Sequence, residues 1–141
     1  MTGAGPVVQM PIRTGDDVVR VRQLVRIHAQ AVHLSLVDQT KLVTAASELA
    51  RNIVTYGGSG VVRVETVTKN GRSGIRATFS DSGPGIADLQ LALTDGWTSG
   101  TGLGLGLGGA RRLVDDFDID TEVGRGTTVT VVKWTRCAWR E

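Results

Sequence analysis

Glu48 and Asn52 stand four residues apart in a stretch of good helix formers, Leu42 to Ile53. On a helix they project from one face, about 40° apart in angle. Such a pair can hold a reacting group between a carboxylate and an amide. Taken alone it is more often a solvated patch on a helix exterior. A second candidate is Asp81, followed by Ser82-Gly83-Pro84-Gly85-Ile86. An acid at a strand end, next to two glycines, is a fixed acceptor above a backbone that a flat ligand can approach closely. The third is the run from Gly96 to Gly109, G-W-T-S-G-T-G-L-G-L-G-L-G-G. Half of it is glycine, which no packed helix or strand favours. Ala110 to Val114 then read as helix, so a loop feeds a helix N-terminus, where bare N–H groups attract an anion such as phosphate.

Several phosphate-binding patterns are excluded. A Walker A loop requires G-x-x-x-x-G-K-[ST], and no lysine follows these glycines. Gly104, Gly106 and Gly109 satisfy G-x-G-x-x-G, but no strand directly precedes them and no acid lies in the 126–130 region. The eukaryotic-type kinase motifs are absent. The 141 residues, 40% hydrophobic and 21% charged, suit one globular domain spanning 1–141. A net charge of +2 with interspersed signs argues against a nucleic-acid partner, and the short apolar runs against a membrane. A lone cysteine, Cys137, and no signal-peptide pattern at the N-terminus point to the cytoplasm.

The elements that must position these groups follow from periodicity. Residues 7–12 read as a strand. Asp16 or Asp17 caps a helix to about Leu34, with Val18, Val21, Val25, His28 and Val32 on one face. His28 and His33 are assigned to structure, since neither has a partner at metal-ligand spacing. A second helix runs from about Asp38 to Tyr56 and ends at Gly57-Gly58-Ser59-Gly60. Two strands, 61–68 and 75–80, flank the hairpin signal Asn70-Gly71. A short helix over 88–93, the glycine stretch, a helix to about Asp116 and strands over 117–122 and 127–134 complete the order. The expected class is α+β: a two-layer sandwich, a mixed sheet covered on one face by helices.

E-L-A-R-N on a helix, D-S-G-P-G-I after a strand, G-T-G-L-G-L-G opening a helix and G-R-G-T-T-V between the last strands stand in fixed order. Together they resemble the GHKL (Bergerat) ATP-binding fold. V-D-Q-T-K-L-V-T-A-A-S-E-L-A-R-N-I at 37–53, D-G-W at 95–97, G-L-G-L-G-L-G-G-A-R-R-L-V-D-D-F-D-I at 102–119 and V-V-K-W at 131–134 narrow the likeness to bacterial serine/threonine switch kinases of the RsbT-like, stressosome type. The RsbW and SpoIIAB anti-sigma kinases lack the continuation past the glycine stretch.

The resemblance implies a protein serine/threonine kinase using ATP and Mg²⁺. It assigns Asp81 to the exocyclic amine of adenine, with Gly83 and Gly85 leaving room for the base and Thr127 supporting the same end. Asn52 is the implied Mg²⁺ ligand. Gly102, Gly104 and Gly106 are the implied donors to the β- and γ-phosphates, and Glu48 the implied general base. The implied partners are STAS-domain antagonist and co-antagonist substrates and a PP2C-type phosphatase. The alternative is an anti-sigma factor that sequesters a sigma subunit and phosphorylates an anti-anti-sigma STAS protein. Trp97, Trp134 and Trp139 are either partner contacts or buried and tail aromatics.

Overall fold

A computed structural model of the chain describes residues 7–88, 93 and 106–136. The expected helix over 88–93, Gly102, Gly104, Trp97 and Trp139 therefore lie outside the described residues, apart from Asp88 and Leu93. The elements are β1 (Val7–Ile12), α1 (Gly15–Ala31), α2 (Leu36–Asn52), a π-helical turn (Ile53–Gly57), β2 (Gly60–Lys69), β3 (Arg72–Asp81), α3 (Gly106–Arg112), β4 (Asp116–Glu122) and β5 (Gly126–Trp134).

The five strands form one sheet in the order β1-β2-β3-β5-β4. The layers are as expected, but every strand pair among the described residues is antiparallel rather than mixed. The reason is topological. The crossover from β3 through α3 does lead to a strand parallel to β3, namely β4. The hairpin partner β5 then inserts between the two, so the parallel strands are not neighbours.

Cross-strand register puts Val62, Phe79 and Val129 in one row and Val64, Ala77 and Val131 in the next. All six are buried, and they meet Val21, Val25 and Ala29 of α1, Leu42, Ala46 and Leu49 of α2 and Leu107 and Ala110 of α3. The opposite rows carry Arg63, Thr78, Thr130 and Asp118, so the helices cover one face only.

Local signals account for the element ends. The N-cap of α1 is Thr14 rather than either aspartate. Asp17 sits three residues later and its carboxylate accepts hydrogen bonds from the backbone N–H groups of Arg13 (2.8 Å) and Thr14 (3.2 Å), the reciprocal half of a capping box. Asn70 (φ 52°) and Gly71 (φ 77°) make the two-residue hairpin between β2 and β3. The helix expected to reach Asp116 stops at Arg112, because the Asp115 N–H already donates to the Val132 carbonyl of β5.

The two ends of α2 are anchored differently. At its start Ser35 caps the helix by accepting from the Asp38 N–H. Asp38, 1% exposed, is clasped by the Arg136 guanidinium at 2.9 and 3.1 Å and lies 3.7 Å from Lys133 Nζ. Lys133 is itself buried and also reaches Asp115 at 3.4 Å. This cluster ties the residues after β5 to the helix that carries Glu48 and Asn52. At its far end α2 widens into the π-turn, a feature common next to functional sites. That turn carries the chain to the end of β3.

Candidate active site

The site candidates fall in two groups, Glu48 with Gly106 where α2 meets α3 and Asp81 with Gly83 and Thr127 at the end of β3, and the π-turn after Asn52 runs from the first to the second at Gly57. Glu48 lies on α2 and is only 8% exposed. One carboxylate oxygen, Oε2, is held by Arg51 at 2.8 Å. The other, Oε1, accepts from the Gly106 N–H at 3.4 Å. A contact 58 residues away in sequence thus joins the acid to the glycine stretch itself, at the first residue of α3. Gly106 has φ +70°, a left-handed geometry that suits glycine. The reading of Glu48 as a solvated surface residue does not describe this arrangement.

Asn52 ends α2 one turn after Glu48 and is half-buried. Among the described residues no group of three or more His, Cys, Asp or Glu side chains is placed to hold a metal ion. The donor set expected on α2 is the Asn52 amide oxygen with the Glu48 carboxylate one turn earlier. That donor set fits a cation bound chiefly by a ligand's own phosphates and water.

Asp81 is the last residue of β3 and half-buried. Register places it opposite Gly60 on β2 and Thr127 on β5. Its Oδ1 accepts from the Gly83 N–H at 2.8 Å, and among the described residues no hydrogen bond engages Oδ2. Gly83 and Gly85 turn out to be close-packing positions. A Cβ on Gly83 would lie 2.7 Å from the Cα of Gly57. Gly85, at φ +78°, presses against the backbone of Glu122 and Val123. Both glycines therefore set the loop's path over the sheet end.

Thr127 shares a 2.8 Å hydroxyl–hydroxyl hydrogen bond with Thr121 of β4. Thr121 also accepts from the Ile86 N–H at 2.9 Å. Sequence reasoning missed Thr121 as the link between the loop after Asp81 and Thr127. A signal existed: in D-F-D-I-D-T-E, Thr121 shares the half-buried side of β4 with Phe117 and Ile119. Gly57 likewise stands in sequence only as part of a helix-ending run. Trp134 is engaged within the chain, its Nε1–H donating to Asp116 at 2.8 Å. His28 Nδ1 lies 3.0 Å from the Leu24 carbonyl oxygen, in keeping with a structural assignment.

Residues 37–136 match the family model described as histidine kinase-, DNA gyrase B- and HSP90-like ATPase. The chain belongs to this family. It is 42% identical over 125 residues to the serine/threonine-protein kinase RsbT of Bacillus subtilis, covering 89% of this chain and 94% of that one. It is thus an RsbT-like serine/threonine kinase of the family, and ATP is its nucleotide. The anti-sigma F factor of a Geobacillus species is 28% identical over 104 residues, covering 69% of this chain and 70% of that protein. Among solved structures, the RsbU and RsbW domains of a Mycobacterium tuberculosis protein superpose with a TM-score of 0.66 at 23% identity. That match covers 94% of this chain and 34% of the mycobacterial one. The mycobacterial sensor histidine kinase MprB superposes at 0.54 and 21% identity, over 92% of this chain and 99% of its own. These two likenesses concern the fold. No helix among the described residues is long and apolar enough to cross a membrane.

Proposed function

We propose that the protein, as a single catalytic domain in the cytoplasm, transfers the γ-phosphoryl group of ATP to a serine or threonine hydroxyl of STAS-domain proteins in a partner-switching system. After the transfer it leaves them to bind and activate a PP2C-type phosphatase. The observation that carries the chemistry is the buried Glu48 carboxylate, oriented by Arg51 and in contact with Gly106 where the glycine stretch enters α3. In this reading Glu48 accepts the proton of the incoming hydroxyl while that oxygen bonds to the γ-phosphorus. The bond from the γ-phosphorus to the bridging oxygen breaks, and ADP leaves. Base strength matters little in such a reaction; placement and charge neutralisation lower most of the barrier.

Asp81 Oδ2 accepts from the adenine amine and repels the keto oxygen of guanine, with the Thr127 hydroxyl at the same end. Gly102, Gly104 and, once its N–H leaves Glu48 Oε1, Gly106 offer N–H groups to the β- and γ-phosphates. Asn52 supplies its amide oxygen to Mg²⁺, which when bound neutralises charge on the triphosphate.

The STAS substrates and the phosphatase come from the likeness to the stressosome kinase. The second reading, an anti-sigma factor that sequesters a sigma subunit, draws on the anti-sigma F relatives. Identity of 42% over 125 residues against 28% over 104 weighs for the first. Incubating the chain with γ-labelled ATP, Mg²⁺ and candidate STAS proteins tests it. Mg²⁺-dependent label on serine or threonine is expected. A chain that binds ATP yet labels no STAS protein, and instead binds a sigma factor tightly, would refute it.

A further inference from the structure

Gly57 closes the π-turn after α2 and Gly58 follows it, yet ending the helix requires only one of the two glycines. Gly58 has φ +82°, and a Cβ there would meet nothing within 4 Å. Its glycine requirement is conformational, and it reverses the chain toward β2. Gly57 is not among the positive-φ residues, so its backbone admits any side chain. Its constraint is contact. A Cβ on Gly57 would stand 2.6 Å from Asp81 Cγ, 2.8 Å from Asp81 Oδ2 and 2.8 Å from Asp81 Cβ.

Asp81 is thereby bounded on three sides. Its backbone is fixed between Gly60 and Thr127 in the sheet, its Oδ1 is taken by the Gly83 N–H, and its flank lies flush against bare Gly57. Because the clash would include the aspartate's own Cβ, rotating the carboxylate cannot relieve it. The side chain or the π-turn would have to move by about 1 Å to restore an ordinary carbon–carbon contact of about 3.5–4.0 Å. A hydrogen bond is confined to a narrower range than that shift.

We propose that Gly57 is a specificity-determining position of the nucleotide site: its missing side chain sets where Asp81 Oδ2 stands and so how strictly the base is selected. The inference rests on the reading of Asp81 as the acceptor for the adenine amine. Gly57 touches Asp81 and not the base, so it is a positioning residue.

The experiment compares binding of ATP with that of purine riboside triphosphate, which lacks the 6-amino group. In Gly57→Ala, ATP affinity should fall roughly tenfold or more, the scale of one hydrogen bond to a charged group. Affinity for the purine analogue should stay within about twofold, and transfer at saturating ATP within a few-fold. Gly58→Ala, strained at positive φ, should lower thermal stability and leave the ATP-to-purine ratio unchanged. In an Asp81→Asn background, Gly57→Ala should cost ATP nothing more.

The outcomes separate the two ideas. If Asp81→Asn keeps the wild-type ratio, the reading of Asp81 itself fails. If Asp81→Asn collapses the ratio while Gly57→Ala keeps it, or weakens both nucleotides equally, the role of Gly57 is overturned. Should Gly57→Ala not fold, Gly83→Ala drives the same wedge from the other side, 2.7 Å from Gly57 Cα and 3.1 Å from Asp81 Oδ1. A retained ratio in that variant overturns the proposal equally.

Discussion

Replacing Glu48 by glutamine separates chemistry from architecture, because the structure bounds what the change can cost the fold. The substitution keeps the side-chain shape and an amide oxygen that can still accept from the Gly106 N–H. What it removes is the charge paired with Arg51, whose side chain is 52% exposed. A pair with one partner that open to water contributes at most about 1 kcal/mol. For a chain of this size that is about 2–4 °C in Tm. If Glu48 is the general base, phosphoryl transfer should fall by about 10²–10⁴-fold, or about 2.7–5.4 kcal/mol of barrier. The two magnitudes do not overlap. Single-turnover transfer to a STAS substrate, ATP·Mg²⁺ titration and thermal unfolding on the same preparation measure all three quantities. The expected pattern is a small loss of stability, nearly intact nucleotide binding and a large loss of rate. Removing the carboxylate's charge can even tighten ATP slightly by relieving repulsion of the triphosphate. Transfer near the wild-type rate would refute the role of Glu48, and so would a rate loss that tracks lost ATP binding.

Three further outcomes are expected. Asn52→Ala should abolish the Mg²⁺-dependent part of ATP binding and, with it, transfer; titrations that respond equally to Mg²⁺ in variant and wild type would remove Asn52 from the metal. Asp81→Asn should weaken ATP by about 1.5–3 kcal/mol, seen as a higher Kd, and an unchanged Kd would take Asp81 off the base. At the other end of α2, the Arg136 hydrogen bonds, followed by the charge of Lys133, hold the Asp38 carboxyl below its ordinary range. A depressed folded-state value means that its stabilisation is present above the ordinary carboxylate value and is lost as pH falls toward the folded one. Wild-type Tm should therefore drop below about pH 4. Asp38→Asn should lose about 2 kcal/mol at neutral pH, since buried Lys133 keeps only Asp115 among the described residues, and should show a shallower acid slope. Parallel slopes in the two proteins would count against the clasp.

Much of the candidate site was legible because it is encoded locally. Glu48 and Asn52 share a face through the helical repeat alone, and that needs only Leu42 to Ile53 to be helical. Asn70-Gly71 specifies its hairpin through the positive φ angles it tolerates. The apolar stripes of α1 and α2 and the inward rows of β2 and β3 follow from period 3.6 and period 2, so the two-layer class could be read before any contact was known.

What the tertiary structure alone decided are pairings between residues far apart in sequence. Thr121 matters through Thr127, Gly57 through Asp81, Glu48 through Gly106 and Asp38 through Arg136, the last pair 98 residues apart. The antiparallel sheet belongs with them, because it depends on β5 entering between β3 and β4 rather than on any strand's own pattern. Periodicity states which face of an element is buried, since that depends on the element's own side chains. Which residue lies opposite depends on register and packing across the whole core, and no stretch of ten or twenty residues contains that information.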